Sequence, residues 1–459
     1  MLTSDGVIPG SFRDPSGFLF YRHGILYRQV NLVGKDSYDT LIQTGLHAAL
    51  VDDGLLVSHE EVEVPPSRPE LVYKVLKPQL IPFVSYPYEW CFSQMKDAAL
   101  TTLMIQRRAL DFGMTLKDAS AYNVQFYAGR PVFIDTLSFD TYKEGQPWIA
   151  YRQFCQHFVA PLALMSYKDA RLSSLLRTYI DGIPLDLTSS LLPFRTRFRL
   201  SLLAHVHLHA GSQKHYADKP VEISHKKLSK MGLVGIVDSL QSLVAGLTWK
   251  PSGTEWADYY EDTNYSAEAF SDKRRIVAEF LDAVAPTKVW DLGGNIGVFS
   301  RIACAKGIPA VCMDIDPAAV EMNYLEAVSK KERNVLPLVI DLGNPSPGIG
   351  WGNQERMSLE QRGPTDAALA LALVHHLCIS NNVPFRALAD FLGRTCKNLI
   401  IEFIPKSDSQ VQRLLATRQG VFAEYTQTTF HDEFARRFVV EEPIRIKDSQ
   451  RMLYLMRAR

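Results

Sequence analysis

Two carboxylates and three glycines give the stretch K-V-W-D-L-G-G-N-I-G-V-F-S (288–300) and its sequel A-V-C-M-D-I-D-P (310–317) the means to hold a nucleoside-bearing cofactor. Each stretch reads as a short apolar strand that ends in an acid, Asp291 in the first and Asp314 in the second. Gly293, Gly294 and Gly297 let the backbone turn tightly and approach a ligand, because no Cβ stands in the way. The helix that follows points its positive end at the bound molecule. A dinucleotide loop would need G-x-G-x-x-G. Counted from Gly293, the second and third glycine positions hold Asn295 and Val298, so that spacing fails. A carboxylate at Asp291 would repel a pyrophosphate, whereas it suits a cofactor with a cationic end. Asp314 stands where a ribose hydroxyl is accepted.

With its acid–x–Gly–x–Gly-type loop, here D-L-G-G-N-I-G, the stretch resembles the first motif of the class I S-adenosylmethionine-dependent methyltransferases. The resemblance implies that Asp291, Gly293, Gly294, Asn295, Gly297 and Asp314 bind S-adenosylmethionine. It also implies an adenine contact for Asp341, which ends the run V-L-P-L-V-I-D-L. D-A-A-L-A-L-A-L-V-H-H-L, from Asp366, looks like the family's fourth motif. His375 and His376 are then expected near the transferred methyl, and Glu402 in L-I-I-E-F-I-P on the same rim. W-A-D-Y-Y-E-D-T-N-Y-S, I-D-L-G-N-P-S-P-G-I-G-W and E-F-I-P-K-S-D-S-Q-V-Q-R-L-L-A-T-R resemble a bacterial, nodulation-type subgroup, a likeness that names no substrate. The N/D-P-P-Y/F motif of amide- and base-methylating relatives is absent after the fourth strand, which disfavours DNA and protein glutamine as acceptors.

Methyl transfer from a sulfonium is an in-line displacement in which the cofactor carries the chemistry and the protein orients the nucleophile. A base is needed only for a hydroxyl or a protonated amine. His375, His376 and Glu402 are the candidates, each with a plainer reading beside it: hydrogen-bonded rim residues for the histidines, an ion pair or solvated strand end for Glu402. Tyr259, Tyr260 and Tyr265 precede the domain's first helix, where either a lid or ordinary aromatic packing would place them.

These residues need a scaffold, and the sequence supplies one. From 288 onward, strand-like runs at 288–292, 309–314, 335–341, 366–374, 397–404, 437–445 and 450–456 alternate with helical runs such as 317–329 and 384–395. Such alternation argues an α/β fold with a parallel, doubly wound sheet. The short K-D-S-Q turn allows a final antiparallel hairpin. The resemblance implies a seven-stranded Rossmann-like methyltransferase sheet. The connection 342–365 is long for a compact domain and is expected to help cover the substrate site.

The 459-residue chain is too long for one ordinary core. A polar, basic stretch, 211–232, is the expected linker between an N-terminal α+β domain (1–210) and the methyltransferase domain (233–459). Lysine plus arginine equals aspartate plus glutamate, 50 each, so the chain as a whole carries no basic footprint for nucleic acid or membrane, although local patches are compatible with that balance. Six scattered cysteines without C-x-x-C spacing read as reduced thiols rather than a disulfide frame or zinc site. The N-terminus lacks the pattern of a signal peptide, and the longest apolar run, 367–374, is too short to cross a bilayer. A cytoplasmic enzyme acting on a small molecule or glycan is expected, with no membrane partner.

A second constellation lies in the N-terminal half. Residues 94–113 read as an amphipathic helix. M-T-L-K-D-A-S-A-Y-N-V-Q-F-Y-A-G-R-P-V-F-I-D-T-L-S-F follows, with Asp118-x-x-x-x-Asn123, a hairpin turned by Ala128-Gly129-Arg130, and then Asp135. This resembles the catalytic loop and metal-binding Asp of the protein-kinase-like fold. The resemblance implies that Asp118 receives a hydroxyl proton while Asn123 and Asp135 hold magnesium beside ATP. No Gly-rich phosphate loop lies upstream, the lysine is ambiguous between Lys74 and Lys77, and the preceding region is short for a full upper lobe. The alternatives to a methyltransferase alone are therefore a bifunctional or kinase-like phosphotransferase and a non-catalytic cofactor-binding scaffold. Phe194–Arg199 (F-R-T-R-F-R) could meet an anion or form a solvated face, and His205, His207 and His209 read as decoration of a helix or loop.

Overall fold

A computed structural model describes residues 5–209, 228–251, 266–416 and 422–459. The described residues fall into two compact units. One comprises 251–348 and 357–459; the other comprises 2–250 together with 349–356.

The C-terminal unit is built on an eight-stranded sheet. Its strand order is Val335–Val339, Ala310–Asp314, Val289–Leu292, Thr365–Ala370, Cys396–Phe403, Met452–Ala458 and Phe438–Val440, with Ile444–Arg445 also pairing Met452–Ala458. The first five are parallel, with Trp290 facing Val311 on one side and Ala368 on the other. Met452–Ala458 runs antiparallel to Cys396–Phe403. This is the class I methyltransferase order. One expected strand, 437–445, is two short ones, Phe438–Val440 and Ile444–Arg445, both on Met452–Ala458, which is why the count is eight rather than seven.

Local signals explain the covering helices. Ala267–Val284 starts where the Ser266 hydroxyl accepts from Ala269 N, and its Ile276, Val277, Phe280 and Leu281 recur at helical spacing to enter the sheet's core. Pro317–Ser329 starts at Asp316, whose carboxylate accepts from Ala318 N. Strands 289–292 and 365–370 are adjacent, yet their connections leave in opposite directions. Their carboxyl ends therefore open a crevice at a topological switch point.

The N-terminal unit carries a five-stranded antiparallel sheet in the order Gly6–Val7, Gly17–Arg22, Ile25–Asn31, Val72–Pro78, His59–Glu61. The region expected to be short for an upper lobe thus holds a complete small sheet. The helix Phe92–Asp111 and the hairpin Val124–Tyr127/Arg130–Phe133 follow as the residue pattern predicts. The expected linker lies mostly outside the described residues, and the helix after it does not belong to the methyltransferase domain. Lys230–Gly246 packs on Phe92–Asp111 through Leu233, Val237, Leu240 and Val244. Lys96 Nζ donates to Ala245 O (2.8 Å) and Leu247 O (2.9 Å), satisfying carbonyls that the helix end leaves open. The boundary between the units therefore falls at Lys250/Pro251.

The long 342–365 connection also differs from expectation. Its segment 349–356 is part of the N-terminal unit. Glu355, buried, receives the Arg13 guanidinium and Trp351 N (3.0 Å), and Arg356 lies 4.2 Å from the centroid of the Tyr122 ring. A Cβ on Gly10 would stand 2.3 Å from Glu355 O. Gly10→Ala is therefore expected to lower stability by about 1–3 kcal/mol, the range for overpacking. Gly235→Ala, on an exposed turn of Lys230–Gly246 with nothing within 4 Å of the added methyl, should raise it by about 0.5–1 kcal/mol. Urea unfolding of the two variants checks both signs.

Candidate active site

The crevice is a cleft of about 280 Å³. Gly293 and Asn295 form its floor, Asp314 and Ile315 one wall, and Ile340 to Gly343 the far end. Ala372, Leu373, His376, Leu377, Ser380 and Asn381 close the opposite wall. Two carboxylates, Asp314 and Asp341, reach the cleft, and among the described residues no lysine or arginine lines it.

The loop is held by backbone and acid together. Gly293 N and Gly294 N both donate to Met313 O (2.8 and 3.0 Å), tying the turn to the neighbouring strand. Gly293 adopts φ +74°, a conformation that costs an L-residue free energy. A Cβ on Gly294 would meet Cys312 Sγ at 2.5 Å and the Asp291 carboxylate at 2.8 Å, so this residue must lack a side chain. Asn295 N donates to Asp314 Oδ2 (2.8 Å), and Asp316 N to Asp314 Oδ1 (2.9 Å). The Asp314 carboxylate is thereby aimed while each oxygen keeps a lone pair for a ribose hydroxyl. Asp341 accepts from Gly343 N (2.7 Å) at the end where an adenine would lie.

Asp291 does not line the cleft. It is buried under the loop and accepts from Ser300 Oγ (2.7 Å), at the start of the following helix. Burial pushes its carboxyl up to about 6, with the hydrogen bonds from Ser300 opposing. Burial raises Asp314 to about 6 as well, against the backbone amides that stabilise its charge. Gly294 and Gly297 also sit behind the cleft surface, and Gly297, at φ +80°, abuts Asn323 and Arg301.

The three candidate bases separate. His376 lines the cleft, and burial lowers its pKa to about 4, so its imidazole is neutral at pH 7. His375 is packed behind it, ring centroids 4.0 Å apart, with its Nδ1 buried and without a hydrogen-bond partner. Glu402 is not on the rim. It is fully buried and accepts from Lys273 Nζ (2.7 Å), while Arg451 Nη1 stands 3.6 Å from its other oxygen and Arg451 Nε donates to Asp408 (2.8 Å). Burial pulls the Lys273 ammonium below its usual value, and Glu402 opposes that shift. Glu402 Oε2 also accepts from Ala372 N (2.8 Å). That bond takes Ala372 out of the strand at φ +52°, so the strand stops at Ala370 and not at 374, and the chain turns to present Leu373, His376 and Leu377 to the cleft. Glu402 is a positioning residue, which its place at a strand end did not reveal. Ser380 and Asn381 also line the cleft; they follow the His-His-Leu run by a turn too irregular for periodicity to place. Tyr259, Tyr260 and Tyr265 lie outside the described residues.

In the N-terminal unit the expected kinase-like residues do come together. Asp118 accepts from Ser120 N (2.9 Å) and has Asn123 as a hydrogen-bond partner, and Asn123 Nδ2 donates to Ser138 Oγ (3.2 Å). Asp135, however, is engaged by the Arg28 guanidinium, Ser138 Oγ and Leu137 N. A guanidinium thus occupies the carboxylate that the resemblance assigned to magnesium. Among the described residues no cluster of three or more His, Cys, Asp or Glu could hold a metal ion. Lys74 pairs with Glu61 near the surface. His205 and His207 lie on a helix, and they are buried hubs rather than decoration, bonded to Tyr151 and Ser239, and to Ser189 and Thr196.

Glu402→Ala strands Lys273 and Arg451 without their shared anion. It is expected to lower stability by about 3–5 kcal/mol in chemical unfolding. Arg28→Ala, which leaves Asp135 without its cation, should cost about 3 kcal/mol in the same measurement. Added magnesium–ATP should leave the melting temperature of the wild-type chain unchanged; a rise that Asp135→Ala abolishes would restore the phosphotransfer reading.

No protein-family model matches the chain. Among solved structures it is similar to the N-methyltransferase NodS from Bradyrhizobium japonicum WM9 (12% identity, 42% of this chain and 98% of that one, TM-score 0.31). It is also similar to a magnesium protoporphyrin IX methyltransferase (ChlM) from Synechocystis PCC 6803 with bound SAH (18%, 44% and 92%, 0.32). A third is the bifunctional kinase-methyltransferase WbdD (15%, 44% and 41%, 0.31). These overlaps are small, and the fold rests on the strand order above. In sequence the chain is 36% identical over 459 residues to the nodulation protein NoeA of Rhizobium meliloti (strain 1021), covering 98% of this chain and 95% of the relative. Identity at that level along nearly the whole of both chains, with the nodulation-type motifs in place, means that this protein belongs to the NoeA family.

Proposed function

We propose that the C-terminal unit is an S-adenosylmethionine-dependent methyltransferase whose acceptor is a hydroxyl on a small molecule or glycan. The observation that carries this reading is the charge of the cleft: Asp314 and Asp341 line it, Asp291 lies beneath it, and among the described residues no lysine or arginine faces it. A pyrophosphate would find only like charge there, whereas an ammonium and a sulfonium gain.

When bound, S-adenosylmethionine supplies an electrophilic methyl group. The chain's own residues do the rest. Asp314 accepts the ribose hydroxyls, and Asp341 takes the adenine end. Leu373 and Leu377 exclude water from the wall that carries His376. The neutral His376 imidazole accepts the proton of an acceptor hydroxyl. With a pKa near 4 it is a weak base at rest, so the transfer occurs late, as the hydroxyl gains acidity on bonding to carbon. A wall with one imidazole, one hydroxyl and one amide among leucines suits a polar, uncharged acceptor.

Calorimetry of S-adenosylmethionine binding tests the reading. Wild type should bind, and Asp314→Ala should lose about 1.5–3 kcal/mol of affinity, the value of hydrogen bonds to a charged group. Asp314 accepts the ribose hydroxyls best, and the field of Asp314 and Asp291 favours the cationic cofactor, only when the carboxylates are ionised. Because burial holds Asp291 and Asp314 near 6, affinity should be full above pH 7 and decline as pH falls through 6. Absence of binding by the wild type, or affinity indifferent to Asp314→Ala, overturns the proposal. His376→Asn should lower kcat and leave the cofactor affinity unchanged.

A further inference from the structure

One helical segment of the N-terminal unit, residues 200–209, carries apolar side chains on its outer face as well as its inner one. Its histidines point inward: His205 bonds Tyr151 Oη (2.7 Å) and Ser239 Oγ (2.9 Å), and His207 bonds Ser189 Oγ (2.8 Å) and Thr196 Oγ1 (3.0 Å). Burial holds both below the usual imidazole pKa, so they sit there uncharged. Leu202 and Val206 are buried with them, whereas two further leucines face outward: Leu200 is 83% exposed and Leu208 61%, with exposed Ala204 between them at a spacing of four. An ordinary surface helix keeps that outer face polar. Phe194 (71% exposed) and Phe198 (76%) extend this apolar surface, their rings edge to face at 5.5 Å. Arg195, Arg197 and Arg199 alternate with them and are exposed, and the Arg197 guanidinium lies over the Phe194 ring. Between residues 187 and 217 the sequence has no Asp or Glu. The charge balance of the whole chain conceals this concentration.

We propose that the Phe194–Leu208 surface docks the N-terminal unit peripherally onto an anionic phospholipid surface. Two aromatic rings and two leucines fit the boundary between headgroups and acyl chains, and three arginines fit the phosphates around it. The occupant must satisfy both features. A nucleic acid would engage the arginines and leave Leu200 and Leu208 in water. A second copy of the same surface would set three arginines against three, with no carboxylate between them. An anionic lipid layer offers an apolar interior and a phosphate plane at one place. The expectation of no membrane partner, drawn from overall charge, is thereby revised for this surface alone.

The test is flotation of the full chain with vesicles of phosphatidylcholine alone and of phosphatidylcholine with phosphatidylglycerol. Wild type is expected to float only with the anionic vesicles and to release at high salt, as screening demands. Phe194→Ser with Phe198→Ser should weaken binding at least ten-fold. Each of Arg195→Gln, Arg197→Gln and Arg199→Gln should weaken it roughly five-fold. All five side chains are exposed, so the variants' melting temperatures should match that of the wild type, and the wild-type comparison of the two vesicle types stands without them. Equal recovery of wild type with both vesicle types, undiminished anionic binding in the variants, or a dimer lost in the Phe variants without any flotation overturns the proposal.

Discussion

The cleft exists because Glu402 holds a backbone amide that the sheet would otherwise have used. Its carboxylate, buried between Lys273 and Arg451, binds Ala372 N and turns the chain out of the fourth strand. The wall from Leu373 to Asn381 begins at this bond, and its own backbone hydrogen bonds, such as Asn381 N to His376 O, carry the turn on. A lone carboxylate could not stay ionised there; the two cations make it an acceptor strong enough to hold a left-handed alanine. Lys273 comes from the first helix of the unit and Arg451 from just before the last long strand, so the two ends of this domain meet under its ligand site. Stability and site geometry are therefore tied to the same four charges, Lys273, Glu402, Asp408 and Arg451.

Much of this domain was legible in the sequence because its signals are local. Apolar runs ending in Asp291 and Asp314 set strands and their carboxyl ends, and a failed dinucleotide spacing selected the cofactor class. Asp314 stands in the cleft as those signals implied, and Asp341 and His376 as the methyltransferase resemblance implied. What was not legible depends on partners distant in sequence. Nothing in L-I-I-E-F-I-P says that a lysine 129 positions earlier will neutralise its glutamate. Asp291 illustrates a subtler limit: motif position placed it at the loop but not beneath it, since depth is set by the Ser300 hydroxyl and the bare Gly294.

The N-terminal unit shows the same division. The helix, the hairpin and the convergence of Asp118, Asn123 and Asp135 followed from short-range pattern. The chemistry did not, because Arg28, from the middle of a sheet strand, fills the position a divalent ion would need. The helix Lys230–Gly246 was misassigned for a related reason. Its apolar stripe fits any neighbour, and contacts distant in sequence, Lys96 to its terminal carbonyls and His205 to Ser239, decide which one it joins.

The excursion of 349–356 into the N-terminal unit has a consequence for biosynthesis. That unit lacks Glu355, and with it the anion for Arg13, until all of 251–348 has been made. The first unit to leave the ribosome is thus completed only after three strands of its successor have been made. A cut at residue 250 would release a chain whose Arg13 and Gly10 face an absent partner. The protein is two units in space but one indivisible sentence in sequence, with a clause of the first written inside the second.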